Sequence, residues 1–82
     1  MENRKMIVKE IVANALGLEI DEFENSTNIY DELGADSVVG FEILAKLKRK
    51  FQISISSAEI MSLSSVDKIC ELVENRVNSK ID

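Results

Sequence analysis

The sequence has no histidine, no proline and a single cysteine. Without histidine, imidazole acid–base chemistry and imidazole metal ligation are excluded. With one thiol, Cys70, no intrachain disulfide can form, and no Cys–His or comparable nucleophile–base pair can be assembled. The lack of proline, together with only three glycines, leaves few local signals that oppose helix. No apolar run approaches the roughly 20 residues needed to span a bilayer. The opening residues Met1-Glu2-Asn3-Arg4-Lys5 have no signal-peptide apolar stretch behind them, so a cytoplasmic, membrane-free chain is expected.

What is present suits one small domain. The chain has 82 residues, 45% of them apolar, which is the composition of a folded rather than a disordered chain. A domain of this size buries only about 60–65% of the surface its unfolded chain exposes, so a single core is expected and a deep catalytic cleft is not. The net charge of −5 disfavours nucleic acid as the main partner. That charge is unevenly spread. Between positions 19 and 36 there are seven carboxylates and no base, whereas Lys46-Leu47-Lys48-Arg49-Lys50 carries four bases and no acid.

Periodicity predicts an all-α chain: a small four-helix bundle of three long helices and one short one, with a long loop between the first two. In residues 2 to 16, Ile7, Val8, Ile11, Val12, Ala15 and Leu16 form one apolar stripe, and Gly17 stands where a C-terminal cap is expected. Residues 18 to 35 read as loop, pinned by Leu18, Ile20, Phe23, Ile29, Tyr30 and Leu33. Asp36 is a good N-cap for a helix over residues 37 to 51, whose stripe reads Phe41, Leu44, Ala45, Leu47, Lys48 and Phe51, widened by Val38 and Ile43. Ser56 and Glu59 have the capping-box spacing for a short helix over residues 57 to 61. A last helix over residues 66 to 77, capped by Ser64 or Ser65, presents Val66, Ile69, Cys70, Val73 and Val77; Cys70 is expected to be buried and inert. Residues 78 to 82 are expected to fray.

The chemistry concentrates at Gly34-Ala35-Asp36-Ser37. A serine in the first turn of a helix lies among N–H groups that lack internal partners, at the positive end of the helix dipole. A phosphate esterified there is favourably placed. By itself an Asp-Ser pair at a helix start is common, and most such serines only assist capping.

The segment Leu33-Gly34-Ala35-Asp36-Ser37 is identical to the L-G-A-D-S run of bacterial acyl carrier proteins, and the chain resembles that family along nearly its whole length. Leu16-Gly17-Leu18 is similar to the family's L-G-V, Glu42 to its glutamate five residues after the serine, Phe51 with Ile53 and Ile55 to its F-x-x-x-I stretch, and Leu63-Ser64-Ser65-Val66 to its I-T-T-V. The resemblance implies a monomeric, non-enzymatic carrier. Ser37 would accept 4′-phosphopantetheine from coenzyme A through a phosphopantetheinyl transferase (holo-acyl-carrier-protein synthase), which would also recognise Asp36. Acyl intermediates would ride as thioesters on the arm's thiol and be presented to fatty-acid, polyketide or related acyl-processing enzymes. It also implies a chain shelter among Phe41, Leu44, Ala45, Ile60, Leu63 and Ile69, residues that fit plain core as well.

The sequence departs from the family on the second helix. Residues 37 to 51 hold four bases and one acid, a charge of +3, where the pattern is acidic. Val38, Val39, Glu42, Lys46, Lys48 and Arg49 are the candidate docking residues, and the reversed charge points to partners of a dedicated pathway. Val39 is expected on an exposed first turn. Gly40 either leaves room for the arm or a partner or is simply tolerated, and Ser56 replaces a family proline. Two other readings stay open: a peptidyl or aminoacyl carrier, which would share fold and serine, and a small helix-turn-helix DNA-binding module, against which the acidic total argues.

Overall fold

Glycine and polar caps divide this chain, and the computed structural model describes residues 4–80, with side chains over residues 4–78. Four α-helices occur among the described residues, α1 (Arg4–Leu16), α2 (Ser37–Phe51), α3 (Ser57–Ile60) and α4 (Val66–Lys80), with one 3₁₀ turn (Ile20–Glu22) in the long α1–α2 connection. The expected start of α1 at Glu2 lies outside the described residues.

Local chemistry accounts for the ends. α1 closes on Gly17 at φ 74°, with the Gly17 N–H donating to the Asn14 carbonyl at 3.3 Å and the Leu18 N–H to the Ala13 carbonyl at 2.9 Å. This is the paired ending that a left-handed residue permits. α3 has the capping box its spacing predicts: the Glu59 N–H donates to Ser56 Oγ at 3.2 Å and the Ser56 N–H to Glu59 Oε2 at 3.1 Å. It ends at Ile60, with Met61 as its C-cap rather than its last turn. At α4 the cap is Ser65, whose Oγ accepts the Lys68 N–H at 3.2 Å.

α1 packs against α2 and α4, and α2 packs against α3. The core runs through all four helices and the loop, with Val8, Val12, Ile43, Leu47, Ile60, Ile69 and Val73 removed from solvent. Burial of this kind, worth about 1.5–3 kcal/mol per large aliphatic side chain, holds a bundle with so little helix of its own at α3. Among the described residues, ion pairs link elements around it: Arg4 with Glu74 at 2.9 Å, Lys5 with Asp67 at 3.1 Å, and Arg76 with Glu59.

The long loop is structured by its own side chains. Phe23 and Ile29 are core residues. Asn28 Oδ1 accepts the N–H groups of Tyr30 and Asp31 at 3.0 and 2.9 Å, and Glu32 Oε2 accepts the Asn28 N–H at 3.2 Å. Backbone bonds then tie the loop to the start of α4, Ile29 N–H to the Ser64 carbonyl at 2.8 Å and Asp67 N–H to the Asn25 carbonyl at 3.1 Å. The second satisfies one of the orphan donors of the α4 first turn.

Several expectations are corrected. The α4 helix ends at Lys80 rather than at Val77, and Ile81 and Asp82 of the expected tail lie outside the described residues. Of the expected α2 stripe, Ile43 and Leu47 are buried and Leu44 and Phe51 pack half-buried against the core, whereas Val38, Phe41, Ala45 and Lys48 are exposed, Phe41 by 48%, and Gly40 joins the buried face. Apolar residues lie on nearly every side of this helix, so its period is clear in the sequence and its phase is not. Val39 is half-buried against the core, while its neighbour Val38 is 70% exposed.

Candidate functional site

The site is built on the segment entering α2. Gly34, at φ 73°, turns the chain out of the loop. The Ala35 N–H donates to the Ile29 carbonyl at 3.0 Å, fixing the approach to the helix. Asp36 is the N-cap, and its Oδ1 accepts the Val39 N–H at 3.1 Å. Ser37 is therefore the first residue of α2, and it is exposed. The remaining N–H groups of that turn put the positive end of the helix beside its hydroxyl.

Tyr30 braces this entrance. Its hydroxyl donates to the Ile60 carbonyl at 3.0 Å, bridging the loop to the end of α3. The bridge passes directly over Gly40, where a Cβ would stand 2.9 Å from Tyr30 Oη. The space over Gly40 is thus filled by Tyr30, and not left for an arm or a partner. Burial pushes the Tyr30 phenol above its usual pKa, so the hydroxyl stays a donor at neutral pH. Nothing in sequence spacing links Tyr30 to Gly40 or Ile60, which is why this contact escapes a reading of the sequence alone.

A groove of about 450 Å³ opens beside Asp36, lined by Asn28, Tyr30 and Asp36 on one side and by Met61, Ser62 and Ser64 on the other. Met61 is 48% exposed there. With Asp31 and Ala35 also in the lining, two carboxylates, an amide and hydroxyls lie beside an apolar thioether and a ring, which offers hydrogen-bond partners to amides and apolar contact to methylenes.

The other predicted site residues fall into distinct groups. Val38, Phe41, Glu42, Ala45, Lys48 and Arg49 are exposed along α2, and Lys46 is partly exposed and pairs with Glu42 at 3.5 Å. Ile60, Leu63 and Ile69 are buried, and Leu44 is half-buried against the core. The six residues expected to form a chain shelter are therefore split, with Phe41 and Ala45 on the outer surface. Cys70 is buried, and desolvation followed by the nearby Glu74 carboxylate raises its thiol pKa. Among the described residues no group of three metal-ligating side chains occurs. No helix of the described residues is long and apolar enough to cross a membrane.

The chain belongs to the phosphopantetheine attachment site family, which matches residues 7–73, and is a carrier domain of the acyl carrier protein kind. It is 29% identical over 76 residues to an acyl carrier protein of Buchnera aphidicola subsp. Acyrthosiphon pisum, covering 93% of this chain and 95% of the relative. A second acyl carrier protein, from Buchnera aphidicola subsp. Schizaphis graminum, is 26% identical over 76 residues, covering 93% and 96%. The fold is shared with the HMG-ACPI domain of the CurA module from Lyngbya majuscula, solved by NMR, at a TM-score of 0.77 and 19% identity over 93% of this chain and 77% of that one. The covalently bound cofactor of the family is phosphopantetheine. Carriers of this family work with phosphopantetheinyl transferases and acyl-processing enzymes.

Proposed function

We propose that Ser37 is the attachment residue and that this chain is a single-domain, non-enzymatic acyl carrier, monomeric and cytoplasmic. The observation that carries the reading is the exposed hydroxyl of Ser37 at the start of α2, behind an Asp36 carboxylate already turned back onto the Val39 N–H. The residues present fit the cofactor: the first turn of α2 suits the phosphate, and the groove with Asn28, Ser62 and Ser64 suits the amides beyond it. When bound, the arm supplies a thiol for thioester cargo. In its attachment the Ser37 hydroxyl would give its proton to a base of the transferase and its oxygen would form the phosphoester as the pyrophosphate bond of coenzyme A breaks, with adenosine 3′,5′-bisphosphate leaving. The transferase supplies the activation, and Asp36 is a recognition contact for it.

Acyl cargo follows from the Leu33-Gly34-Ala35-Asp36-Ser37 run. The chain is sheltered between α2 and the last two helices, with Leu44, Ile60, Leu63 and Ile69 as its walls and Phe41 and Ala45 at the outer rim. Partner enzymes read the exposed face of α2 at Val38, Glu42, Lys48 and Arg49, with Lys46 beside Glu42 and Val39 supporting from beneath. The basic end of that helix directs the carrier to a dedicated pathway.

Intact mass after incubation with coenzyme A, Mg²⁺ and a phosphopantetheinyl transferase tests the attachment. A gain of one phosphopantetheine by the wild type and none by Ser37→Ala is expected. An unshifted wild type, or a shift that survives Ser37→Ala, rejects it. The pathway reading fails separately, if a housekeeping ketoacyl synthase turns over this acyl carrier as readily as its own acidic one.

A further inference from the structure

A second surface lies away from Ser37, where the first half of α1 meets the last half of α2. Ile7 and Ile11 of α1 and Lys46, Arg49 and Lys50 of α2 line an open groove of about 530 Å³. Both contributions are helical stripes: Ile7 and Ile11 are one turn apart, as are Lys46 and Lys50. The result is an apolar floor with a cationic wall. Glu10 also lines the groove and lowers its formal charge to +2. Among the described residues no carboxylate pairs with Arg49 or Lys50, and Lys46 shares only Glu42 of its own helix. The last-turn bases are also favourable to the α2 dipole, so they cost the fold little and leave their charge available to a partner.

We infer that this α1–α2 groove is a docking site for an acidic amphipathic helix of a partner protein. Apolar side chains one turn apart would rest on Ile7 and Ile11, and carboxylates along their edge would meet Lys46, Arg49 and Lys50. Charge complementarity selects the occupant. A planar anionic membrane is a poorer match, because the chain as a whole carries −5. Ser37 stands nine residues before Lys46 on α2, about 14 Å along the helix axis. A partner seated in the groove would leave the segment around Ser37 open while using Lys46 and Arg49 in common with the α2 face proposed above, so the site extends that docking face onto α1. It does not depend on an arm at Ser37.

The test is an amide-resolved NMR titration of the full chain with a synthetic amphipathic helical peptide carrying two leucines one turn apart, flanked by glutamates. Shifts confined to residues 7–14 and 46–50 are expected, with binding weakened about tenfold or more in Lys46→Gln/Arg49→Gln/Lys50→Gln. It should be lost near 1 M salt, where the Debye length is about 3 Å. Ile7→Ser should weaken it severalfold, and Ser37→Ala should leave it unchanged, which separates this site from the attachment proposal. If the triple variant loses helix by circular dichroism, Arg49→Gln/Lys50→Gln replaces it. No shift at these residues, equal binding of the same peptide with lysines for glutamates, or binding only to vesicles of phosphatidylcholine and phosphatidylglycerol overturns the inference.

Discussion

Replacing Gly40 by alanine should change sign with the residue at position 30. In an ordinary helix the substitution gains up to about 1 kcal/mol, since glycine loses the most backbone freedom on folding. Here the added Cβ would stand 2.9 Å from Tyr30 Oη, while the next ring atom, Cζ, lies at an acceptable 3.8 Å. The hydroxyl cannot retreat freely, because it donates to the Ile60 carbonyl at 3.0 Å. Either that bond breaks and leaves the Ile60 carbonyl and the phenol without partners, at about 1–3 kcal/mol, or α2 shifts, at about 1–3 kcal/mol for an overpacked contact. Gly40→Ala is therefore expected to destabilise the chain by about 1 kcal/mol net. Tyr30→Phe alone should cost about 1 kcal/mol by losing the hydrogen bond. In the Tyr30→Phe background the clashing oxygen is gone, so Gly40→Ala should recover up to about 1 kcal/mol. The coupling in this cycle is about 2 kcal/mol, within the range for residues in contact. Urea denaturation with a common slope measures it, and thermal melts should move by about 4–8 °C per kcal/mol. If Gly40→Ala destabilises equally in both backgrounds, or stabilises the wild type, Tyr30 is not what requires the glycine.

Other contacts set further expectations. Glu59 accepts the Ser56 N–H and pairs with Arg76, which hold its carboxyl below the ordinary range. Its folded pKa is lowered, so its contribution is present above the unfolded value and lost as pH falls through the folded one; Glu59→Gln should flatten the acid limb of a urea-midpoint profile taken below about pH 5. Cys70 is buried with a raised thiol pKa, so a thiol reagent at neutral pH should label the unmodified chain slowly until urea is added; the arm's thiol should add one fast-reacting group. Gln52 ends α2 at φ 54°, a conformation that favours glycine, and Gln52→Gly should raise stability by up to about 1 kcal/mol in the same urea assay.

Legibility in the sequence follows the range of the interactions involved. Gly17, Asp36, Ser56 with Glu59, and the Ser64–Ser65 pair act within one helical turn, and all are placed where their spacing puts them. The four helices and the ordered loop around Phe23 and Ile29 are legible for the same reason. The phase of α2 is not, because Val38, Val39, Phe41, Ile43, Leu44 and Ala45 offer apolar surface on several sides and tertiary contacts choose among them. Val39 and Phe41 exchange roles on that account, one half-buried and the other largely exposed. Gly40 needs Tyr30 and Ile60 to be understood, partners 10 and 20 residues away in sequence. Likewise Arg76, which donates to Glu59 and to the Ser54 carbonyl, joins segments that no local pattern relates. The last turn of α4 carries little apolar patterning, so a reading by periodicity stops at Val77 while the helix goes on to Lys80.

Two exposed serines begin helices here, Ser37 after Asp36 and Ser57 after Ser56. A helix start alone does not separate them. α3 is a single turn with a small dipole, whereas α2 presents a full one behind the Leu33-Gly34-Ala35-Asp36-Ser37 run. Peptide-level tandem mass spectrometry of the chain modified by a phosphopantetheinyl transferase decides between them most directly. All of the added phosphopantetheine on the peptide containing Ser37 is the predicted result; modification on the peptide containing Ser57, or shared with it, contradicts the account.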